Sequence, residues 1–265
     1  MYLRSFFGEI HEPSPCATCS DENVLDFEVR MAFQPILDAG TREIYAYEAL
    51  VRGADGEGAG AVIGRVRENQ MYRFDQTCRV KAIDTAARLG MQQRLSINFI
   101  PNAVYNPATC IRLTLEAAKR CGFDSSKLIF EVTETEKIRN TAHVVNIIRD
   151  YQHRGFLTAI DDFGSGYAGL SLLAEFQPDV VKLDMGLIRG IDQDRVRQAI
   201  TGGILSTCAA LGCRVLAEGV ETAGEYHQLR SMGVGLFQGY LFARPEIESL
   251  PTVPASLWDA IESAA

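Results

Sequence analysis

Acidic and amide side chains recur at or near the ends of short apolar runs in this sequence. They are Glu48 in EIYAYEAL, Asn98 in LSIN, Glu131 and Glu134 in LIFEVTE, Asp161 and Asp162 in LTAIDD, Asp184 in VVKLD, Glu218 in VLAE and Gln238 in LFQ. A single acid in such a place is readily understood as a helix cap or a surface charge. Many like charges in one partly buried cleft are unfavourable unless cations neutralise them, so the whole set points to bound metal.

The chemistry of these side chains favours a hydrolytic metal site. Carboxylate and amide oxygens are the ligands that hard cations such as Mg²⁺ and Mn²⁺ prefer. Two such ions about 3.5–4 Å apart, bridged by one carboxylate, are a standard arrangement for hydrolysing phosphate esters. Lys182 lies inside the apolar run VVKLD, where a lysine is costly unless acids pair with it. The four histidines form no HxH or HExxH pattern, so a histidine-based metal site is not expected.

Short apolar runs alternate with helical patterns along most of the chain. The runs cover residues 31–37, 43–50, 95–99, 127–132, 156–161, 179–183, 214–217 and 236–242. This alternation predicts an α/β protein with a TIM-like (β/α)8 barrel, in which the C-terminal strand ends converge on one active-site face. A doubly wound open sheet is the alternative, but no G-x-G-x-x-G follows the first run.

The connections between the runs refine this prediction. Helices are expected at residues 74–89, 108–120, 142–154, 167–176, 195–211 and 223–232, with a short one at 61–69. Five of them are followed by glycines suited to helix C-caps, namely Gly90, Gly122, Gly155, Gly212 and Gly233. The first two runs are joined by DAGTR alone, which is too short for a crossover helix, so one strand should be antiparallel.

Composition narrows the function classes. The 265 residues are 47% hydrophobic and carry a formal charge of −8, from 34 acids against 26 bases. An acidic chain disfavours binding to polymeric nucleic acid, although metal ions can still admit an anionic substrate. No apolar run is long enough for a membrane span, and the N-terminus makes a poor signal peptide, so a cytoplasmic protein is expected. The Cys16–Cys19 pair has C-x-x-C spacing but no second pair, so buried reduced cysteines are the preferred interpretation.

Several longer motifs carry a family resemblance. YEALVRG around Glu48, DDFGSGY from Asp161, AEGVET around Glu218 and QGYLFARP from Gln238 resemble the hallmarks of the EAL-domain family. The resemblance runs from about Phe33 to Pro245. Family members are cyclic di-GMP phosphodiesterases or degenerate relatives that only bind the nucleotide. The departures are small, because Ser165 and Ala168 replace the common threonine and serine, and the glycine-rich segment 53–60 is shorter than usual.

The resemblance implies roles for individual residues. One metal would be held by Glu48, Asn98, Glu131 and Asp161, and a second by Asp161, Asp162 and Glu218. Lys182, Glu218 and Glu48 would be catalytic, with Lys182 beside the attacking water and Glu218 assisting at the second metal. Glu134 would tether the loop 163–167, which couples metal occupancy to a homodimer interface. The positions framing the substrate are Gln34, Leu50, Arg52, Asp162, Glu221, Gln238 and Pro245, with Arg52 as the phosphate contact.

A purely structural role stays open for some of these residues. Leu50 and Pro245 could serve packing alone, Gln238 could be a satisfied strand-end amide, and Glu221 could cap a helix. The expected cofactors are two Mg²⁺ or Mn²⁺ ions, with Ca²⁺ inhibitory, and the expected product is 5′-pGpG. The alternatives are a catalytically silent cyclic di-GMP receptor or interaction module, and an unrelated barrel hydrolase for small phosphates.

Domain boundaries follow from the same pattern. Residues 1–24 carry two prolines and two cysteines without periodicity and are assigned as an N-terminal arm. Residues 25–250 form the expected EAL phosphodiesterase barrel, and residues 251–265 a C-terminal tail or helix. No cyclase, receiver or photosensor motif is present in the sequence, so a stand-alone enzyme or one regulated by a partner in trans is expected.

Overall fold

The computed structural model describes residues 25–104, 106–133, 141–166 and 169–263. Its strands are β1 Val29–Asp38, β2 Glu43–Gly53, β3 Arg94–Asn98, β4 Leu128–Thr133, β5 Leu157–Phe163, β6 Val180–Leu183, β7 Arg214–Ala217, β8 Leu236–Phe237 and β9 Glu246–Ile247. Neighbouring strands follow the order β2-β3-β4-β5-β6-β7-β8-β1, and β1 also pairs with β2, which closes a barrel of eight strands. The predicted TIM-like barrel is therefore confirmed.

Strand β1 runs against all its neighbours. It pairs antiparallel with β2, β8 and β9, whereas every pair from β2 to β8 is parallel. The turn between Asp38 and Glu43 is tight, and Arg42 adopts a φ of 61° within it. A connection of this length cannot cross the barrel, so the chain must fold back as a hairpin. The predicted single antiparallel barrel strand is confirmed.

Helices surround the barrel between the strands. They are α1 Ala59–Ile63, α2 Met71–Arg88, α3 Pro107–Cys110, α4 Arg112–Cys121, α5 Thr141–His153, α6 Gly169–Glu175, α7 Met185–Ile188, α8 Arg195–Leu211, α9 Ala223–Ser231 and α10 Ala255–Ser263. All five glycines predicted to end helices have φ values between 70° and 99°. Glycine adopts this conformation without strain, which explains why each helix stops there. Within the described residues, no helix is long and apolar enough to cross a membrane.

Three predicted elements differ from the structure. The run 236–242 is a strand only to Phe237, because the chain then turns and Gly239 packs against the backbone of Val220. A Cβ at Gly239 would lie 2.0 Å from the Val220 carbonyl oxygen, so this contact requires glycine. The predicted helix 108–120 is divided at Ile111 into α3 and α4, and the predicted helix 61–69 is divided into α1 and the 3-10 turn Glu68–Gln70.

The lower half of the barrel interior is closed by apolar side chains. We call this set the apolar layer, and its members are Ile36, Ala46, Ile129, Ala159, Val180, Leu216 and Leu236. Each comes from a different strand, and each is at most 3% exposed. A second, larger core lies between the strands and the surrounding helices. The apolar layer leaves only the upper half of the barrel free for polar side chains.

Candidate active site

The upper half of the barrel interior is lined by polar side chains. We call this set the polar layer: Gln34, Glu48, Asn98, Glu131, Asp161, Lys182, Glu218 and Gln238. On seven of the eight strands the polar residue lies two positions from a member of the apolar layer, and on β3 Asn98 lies two positions after Ser96. Residues two apart on a strand share a face, so strand geometry alone stacks one layer on the other. The structure thus brings together most of the residues that the sequence placed at strand ends, although Glu134 lies outside the described residues.

Lys182 lies at the centre of the polar layer with its side chain buried. Its Nζ is 2.8 Å from Glu131 Oε2, 2.9 Å from Asp161 Oδ1 and 2.7 Å from Glu218 Oε1. Glu48 Oε1 is farther away, at 3.6 Å. A buried ammonium is tolerated only when acids surround it, and three close carboxylates satisfy its three donors. The sequence-based expectation that Lys182 is paired with acids is met by this geometry.

Amide and hydroxyl groups fix the orientation of the acids. Asn98 Nδ2 donates to Glu48 Oε1 at 3.2 Å, and Gln238 Nε2 donates to Glu48 Oε2 at 2.8 Å. Ser96 donates to Glu131 Oε1 at 2.5 Å. Both oxygens of Glu48 are therefore held in place, one from the neighbouring strand β3 and the other from the residue after β8. The role of Ser96 was not predicted, although its position two residues before Asn98 already placed it inside the barrel.

Asp161 and Asp162 are consecutive residues that both reach the site. Alternation along a strand would send them to opposite faces. The pairing of β5 with β6 shifts register between Ile160 and Phe163, and Asp162 adopts a φ of 54°. Its backbone N–H donates to the carboxylate of Asp161 at 2.9 Å. This irregularity turns both carboxylates toward the same cleft, and it carries the conformational strain expected of a functional position.

Burial and mutual repulsion shift the pKa values of the acids upward. Burial raises the pKa of Glu131 to about 8, although the ammonium of Lys182 opposes the shift. Burial and the Asp161 charge raise the pKa of Glu218 well above its usual value and that of Asp162 to about 6. Burial alone would lower the pKa of Lys182, but the surrounding carboxylates, Asp161 foremost, raise it well above its usual value. The site therefore favours a protonated lysine. It also contains more carboxyl groups than one lysine can neutralise, which is why ionisation of these groups is opposed.

The acids form two overlapping groups suited to divalent cations. Glu48, Glu131 and Asp161 form one group, and Asp161, Asp162 and Glu218 form the other, with ligand oxygens within 4.8 Å of one another in each. Five carboxylates thus face a single ammonium, a net formal charge of −4 when all are ionised. Such an excess in a buried site favours bound cations. The donor set is all oxygen, as Mg²⁺ and Mn²⁺ require, so the residues fit two ions sharing Asp161.

Two cavities meet at these acids. The larger, of about 340 Å³, extends toward α1 and α2, and the smaller, of about 260 Å³, extends toward the segment after β8. Glu48, Leu50 and Asp162 line both. The smaller cavity is also lined by Gln34, Glu218, Glu221 and Gln238. The predicted substrate positions Gln34, Leu50, Asp162, Glu221 and Gln238 therefore lie on cavity walls.

Two other predicted substrate residues are not brought to these cavity walls. The Arg52 guanidinium donates to the carbonyl of Val51 at 2.8 Å, and neither cavity is lined by Arg52 or Pro245. Glu221 reaches the smaller cavity but forms an ion pair with Arg189 at 2.7 Å. It does not cap the following helix, because Thr222 and Glu225 do so. Glu134, Cys16 and Cys19 lie outside the described residues, as does Tyr167 in the loop expected to couple metal occupancy to the dimer interface.

Some cavity residues had no predicted role. Asp184 caps the start of α7 by accepting from the Gly186 N–H, and it lines the smaller cavity beside Met185 and Tyr240. Asp184 ends the run VVKLD and therefore belongs to the strand-end acids, but the sequence assigned it no ligand or substrate role. Tyr240 could not be assigned in the same way, because the predicted strand ended beyond it. Its ring is covered by the guanidinium of Arg244, 4.2 Å from the ring centroid.

Comparison with known proteins identifies the family. The EAL domain family model matches residues 21–245, so the chain belongs to the EAL-domain family. The Escherichia coli K12 protein named blue light- and temperature-regulated antirepressor BluF is 33% identical over 223 residues, which cover 84% of this chain and 55% of BluF. The protein named cyclic di-GMP phosphodiesterase PdeR, also from Escherichia coli K12, is 31% identical over 169 residues, 64% of this chain and 25% of PdeR.

A solved structure agrees with this assignment. The c-di-GMP bound form of a standalone versatile EAL protein from Vibrio cholerae O395 has a TM-score of 0.86 and 54% sequence identity, covering 89% of this chain and 99% of that protein. By contrast, the chain spans a quarter to about half the length of the two curated relatives. The resemblance inferred from the sequence motifs is confirmed.

Proposed function

We propose that this chain is a metal-dependent phosphodiesterase that hydrolyses cyclic di-GMP to linear 5′-pGpG. The observation that carries the proposal is the pair of carboxylate groups that share Asp161 and enclose Lys182. Two cations held close together suit phosphodiester hydrolysis, because the reacting phosphate and its attacking water can both be bound by them. The name of PdeR and the nucleotide bound in the Vibrio cholerae structure support the choice of substrate.

The ligands for the two ions follow from the two groups. Glu48, Glu131 and Asp161 would hold one ion together with the amide oxygen of Asn98, and Asp161, Asp162 and Glu218 would hold the other. When bound, Mg²⁺ or Mn²⁺ ions supply Lewis-acid stabilisation of the charged phosphate and acidify the attacking water. We expect these two metals because the donors are all oxygen.

Lys182 provides the positive charge that belongs to the protein itself. In the site without metal, the surrounding carboxylates raise the pKa of Lys182, so Nζ is a hydrogen-bond donor there and not a base. From the centre of the acids it can orient the attacking water and stabilise negative charge that develops on it. Glu48 contributes a carboxylate whose orientation is fixed by Asn98 and Gln238.

The cavities suit a substrate with two lobes. Cyclic di-GMP has two nucleotide halves joined by two phosphodiesters, and two cavities meet at the acids where a phosphodiester would be cleaved. Within the described part of the chain, the buried Oε1 of Gln238 has no hydrogen-bond partner. A buried acceptor without a partner is costly, so this amide is suited to a donor group on the nucleotide. Arg52 could bind a phosphate only after releasing the Val51 carbonyl.

The test is direct incubation of the purified protein with cyclic di-GMP and Mg²⁺ or Mn²⁺, followed by chromatographic separation of the nucleotides. We expect 5′-pGpG as the product. Glu48→Ala should abolish turnover while the barrel stays folded, and Glu43→Ala, at the exposed opposite end of the same strand, is the matched control. Tight nucleotide binding without any product would instead favour a silent receptor. The name of BluF, an antirepressor, is consistent with the other alternative, an interaction module.

A further inference from the structure

A buried ion pair lies outside the polar layer. Asp75 and Arg79 occupy successive turns of α2, and their side chains are at most 1% exposed. Arg79 Nη2 lies 2.8 Å from Asp75 Oδ2. Arg79 is among the largest completely buried side chains of the described residues. Neither residue belongs to the ligand or substrate set proposed above, so the proposed chemistry does not account for the pair.

The guanidinium of Arg79 is enclosed by aromatic groups. It lies 5.5 Å from the ring centroid of Phe99 and 5.6 Å from that of Phe130. Its Nη1 donates to the hydroxyl of Tyr151 on α5 at 3.0 Å. Phe99 directly follows Asn98, and Phe130 directly precedes Glu131. The cation therefore contacts the outer side of the two strands whose inner side presents those two ligands.

The carboxylate of Asp75 reaches the backbone beside Asn98. Its Oδ1 accepts a hydrogen bond from the backbone N–H of Ile100 at 2.9 Å. The intervening N–H, that of Phe99, donates to the carbonyl of Glu131 at 3.0 Å. The two residues that follow Asn98 are thus fixed by hydrogen bonds to two different elements, β4 and α2. Asp75 also lines the larger cavity, together with Asn98 itself.

Stability alone does not account for this pair. Burying two charges costs about as much as their attraction returns, and well-packed apolar residues are often equal or better replacements. The pair is also incompletely satisfied, because within the described residues Arg79 Nε has no hydrogen-bond partner. What an apolar pair could not do is accept the hydrogen bond from Ile100. That hydrogen bond is therefore the distinguishing contribution of Asp75.

We infer that Asp75, held in place by Arg79, is a positioning residue for Asn98. By fixing the backbone two residues beyond Asn98, it holds the amide in the direction required for the first metal group. Partners one step removed from a ligand commonly change metal affinity or activity by about 10–100-fold. This inference rests on the proposed metal-dependent function, and its test includes metal binding in the absence of substrate.

Two double variants isolate the hydrogen bond from the charges. Asp75→Asn with Arg79→Met removes both charges but keeps an oxygen that can accept from Ile100. Asp75→Leu with Arg79→Met removes the charges and the acceptor, and Asp75→Ala replaces Asp75→Leu if leucine fails to pack. The matched control is Asp84→Asn with Arg120→Met, an exposed ion pair that also begins on α2, with a separation of 2.7 Å.

The readouts are the Mn²⁺ affinity, from electron paramagnetic resonance of free Mn²⁺ during titration, and the separate kcat and KM for cyclic di-GMP. We expect the asparagine variant and the control to bind Mn²⁺ within about 3-fold of the parent. The variant without an acceptor should bind Mn²⁺ about 10-fold more weakly or worse, and kcat should fall more than KM rises.

The outcomes separate the two proposals. Equal Mn²⁺ affinity in both double variants would overturn the positioning role and leave the proposed function intact. Mn²⁺ binding by the parent without hydrolysis would overturn the proposed function, while the affinity difference would still support positioning. A parent that binds no Mn²⁺ would overturn both. If neither acceptor-free variant folds, Asp75 is required for folding itself, which contradicts a role confined to positioning.

Discussion

The apolar layer and the polar layer are built from the same strands and differ in purpose. Each member of the apolar layer is followed, two residues closer to the active-site face, by a polar group: Ala46 by Glu48, Ile129 by Glu131, Ala159 by Asp161, Val180 by Lys182, Leu216 by Glu218 and Leu236 by Gln238. On the antiparallel β1 the order reverses, and Gln34 precedes Ile36. The lower layer gains free energy by burial, whereas the upper layer accumulates like charges.

This contrast separates folding from chemistry along the barrel axis. The apolar layer can be truncated at a cost in stability without touching a reacting group. Charges in the polar layer can be removed by substitution, which should lower turnover but cause little loss of packing. Proteins commonly trade stability for function in this way at active sites. Substitutions in the apolar layer should therefore lower the free energy of unfolding and spare turnover. Substitutions in the polar layer should lower turnover and spare the free energy of unfolding.

The largest effect is expected for Lys182→Met. Methionine roughly keeps the length of the side chain but removes the ammonium at the centre of the acids, so charge developing on the attacking water loses its stabilisation. We expect turnover to fall by about 10²–10³-fold, the usual range for removal of one charge-stabilising donor, while nucleotide binding with metal persists. The measurement is kcat at saturating Mn²⁺, together with binding calorimetry.

The control for this substitution is Lys127→Met. Lys127 lies just before β4, at the opposite end of the barrel, and donates to the carbonyl of Gln92 at 2.7 Å. Its replacement should leave kcat within about 2-fold of the parent, because surface contacts of this kind contribute little. Parental turnover by Lys182→Met would show that the central ammonium has no part in the chemistry.

In the apolar layer, Leu216→Ala should lower the free energy of unfolding without lowering kcat. Leu216 is 1% exposed, and shortening a buried leucine leaves a cavity that costs about 2–5 kcal/mol. We expect kcat of the folded protein to stay within a few-fold of the parent, because Glu218 lies in the other layer. Urea unfolding and an activity assay at low temperature provide the two values. Val196→Ala, at a position 68% exposed on α8, is the control and should change stability by less than about 0.5 kcal/mol.

The two layers are largely predictable from the sequence. The position of each polar residue at the end of an apolar run predicts which side chains share the active-site face, and the short link before Glu43 predicts the antiparallel strand. These signals are local, so they can be identified without knowledge of the tertiary structure. The five helix-ending glycines were predictable for the same reason, because φ above zero is a property of single residues.

The remaining features depend on contacts between distant segments. The bulge that turns Asp162 inward is set by the pairing of β5 with β6, and no local sequence pattern predicts it. The early end of β8 reflects the approach of Gly239 to Val220. Asp75 looks like an ordinary helical residue in sequence, because its partner Ile100 lies 25 residues away. Tertiary contacts override sequence patterns at such places.

Divalent cations should stabilise the polar layer even when they support no chemistry. Cation binding to the native state alone adds about 2.7 kcal/mol at a concentration 100 times Kd. We expect this increase with Mg²⁺, Mn²⁺ and Ca²⁺, but product only with the first two. Ca²⁺ takes oxygen ligands at about 2.3–2.6 Å in looser geometry than the 2.0–2.1 Å of Mg²⁺, so the Ca²⁺-loaded protein should bind cyclic di-GMP without turning it over.

The measurement for this expectation is unfolding in EDTA and in each cation, with product formation at fixed Mg²⁺ and rising Ca²⁺. Leu216→Ala should keep the whole increase in stability, since it leaves the acids in place. Asp161→Asn should lose most of it, because both carboxylate groups share this residue. Full turnover with Ca²⁺ as the sole cation would contradict the assigned ligands.

The smallest effect is expected for Glu218→Gln in metal-free protein, where it should stabilise the fold. The pKa of Glu218 is raised well above 4.5 by burial and the Asp161 charge, so the folded state opposes ionisation of this carboxyl. Below pH 4.5 the folded and unfolded states are both protonated, and the substitution should have no effect. As pH rises, the unfolded state ionises freely while the folded state cannot, and the parent loses stability that the glutamine variant keeps.

Urea unfolding in EDTA measures this difference, and we expect an advantage of roughly 1–2 kcal/mol for Glu218→Gln at pH 8. Glu116→Gln, exposed on α4, is the control and should show no such growth with pH. Added Mn²⁺ should reverse the ranking, because the parent then regains a ligand that the variant lacks. A Glu218→Gln variant less stable than the parent at pH 8 without metal would mean that the polar layer is not under electrostatic strain.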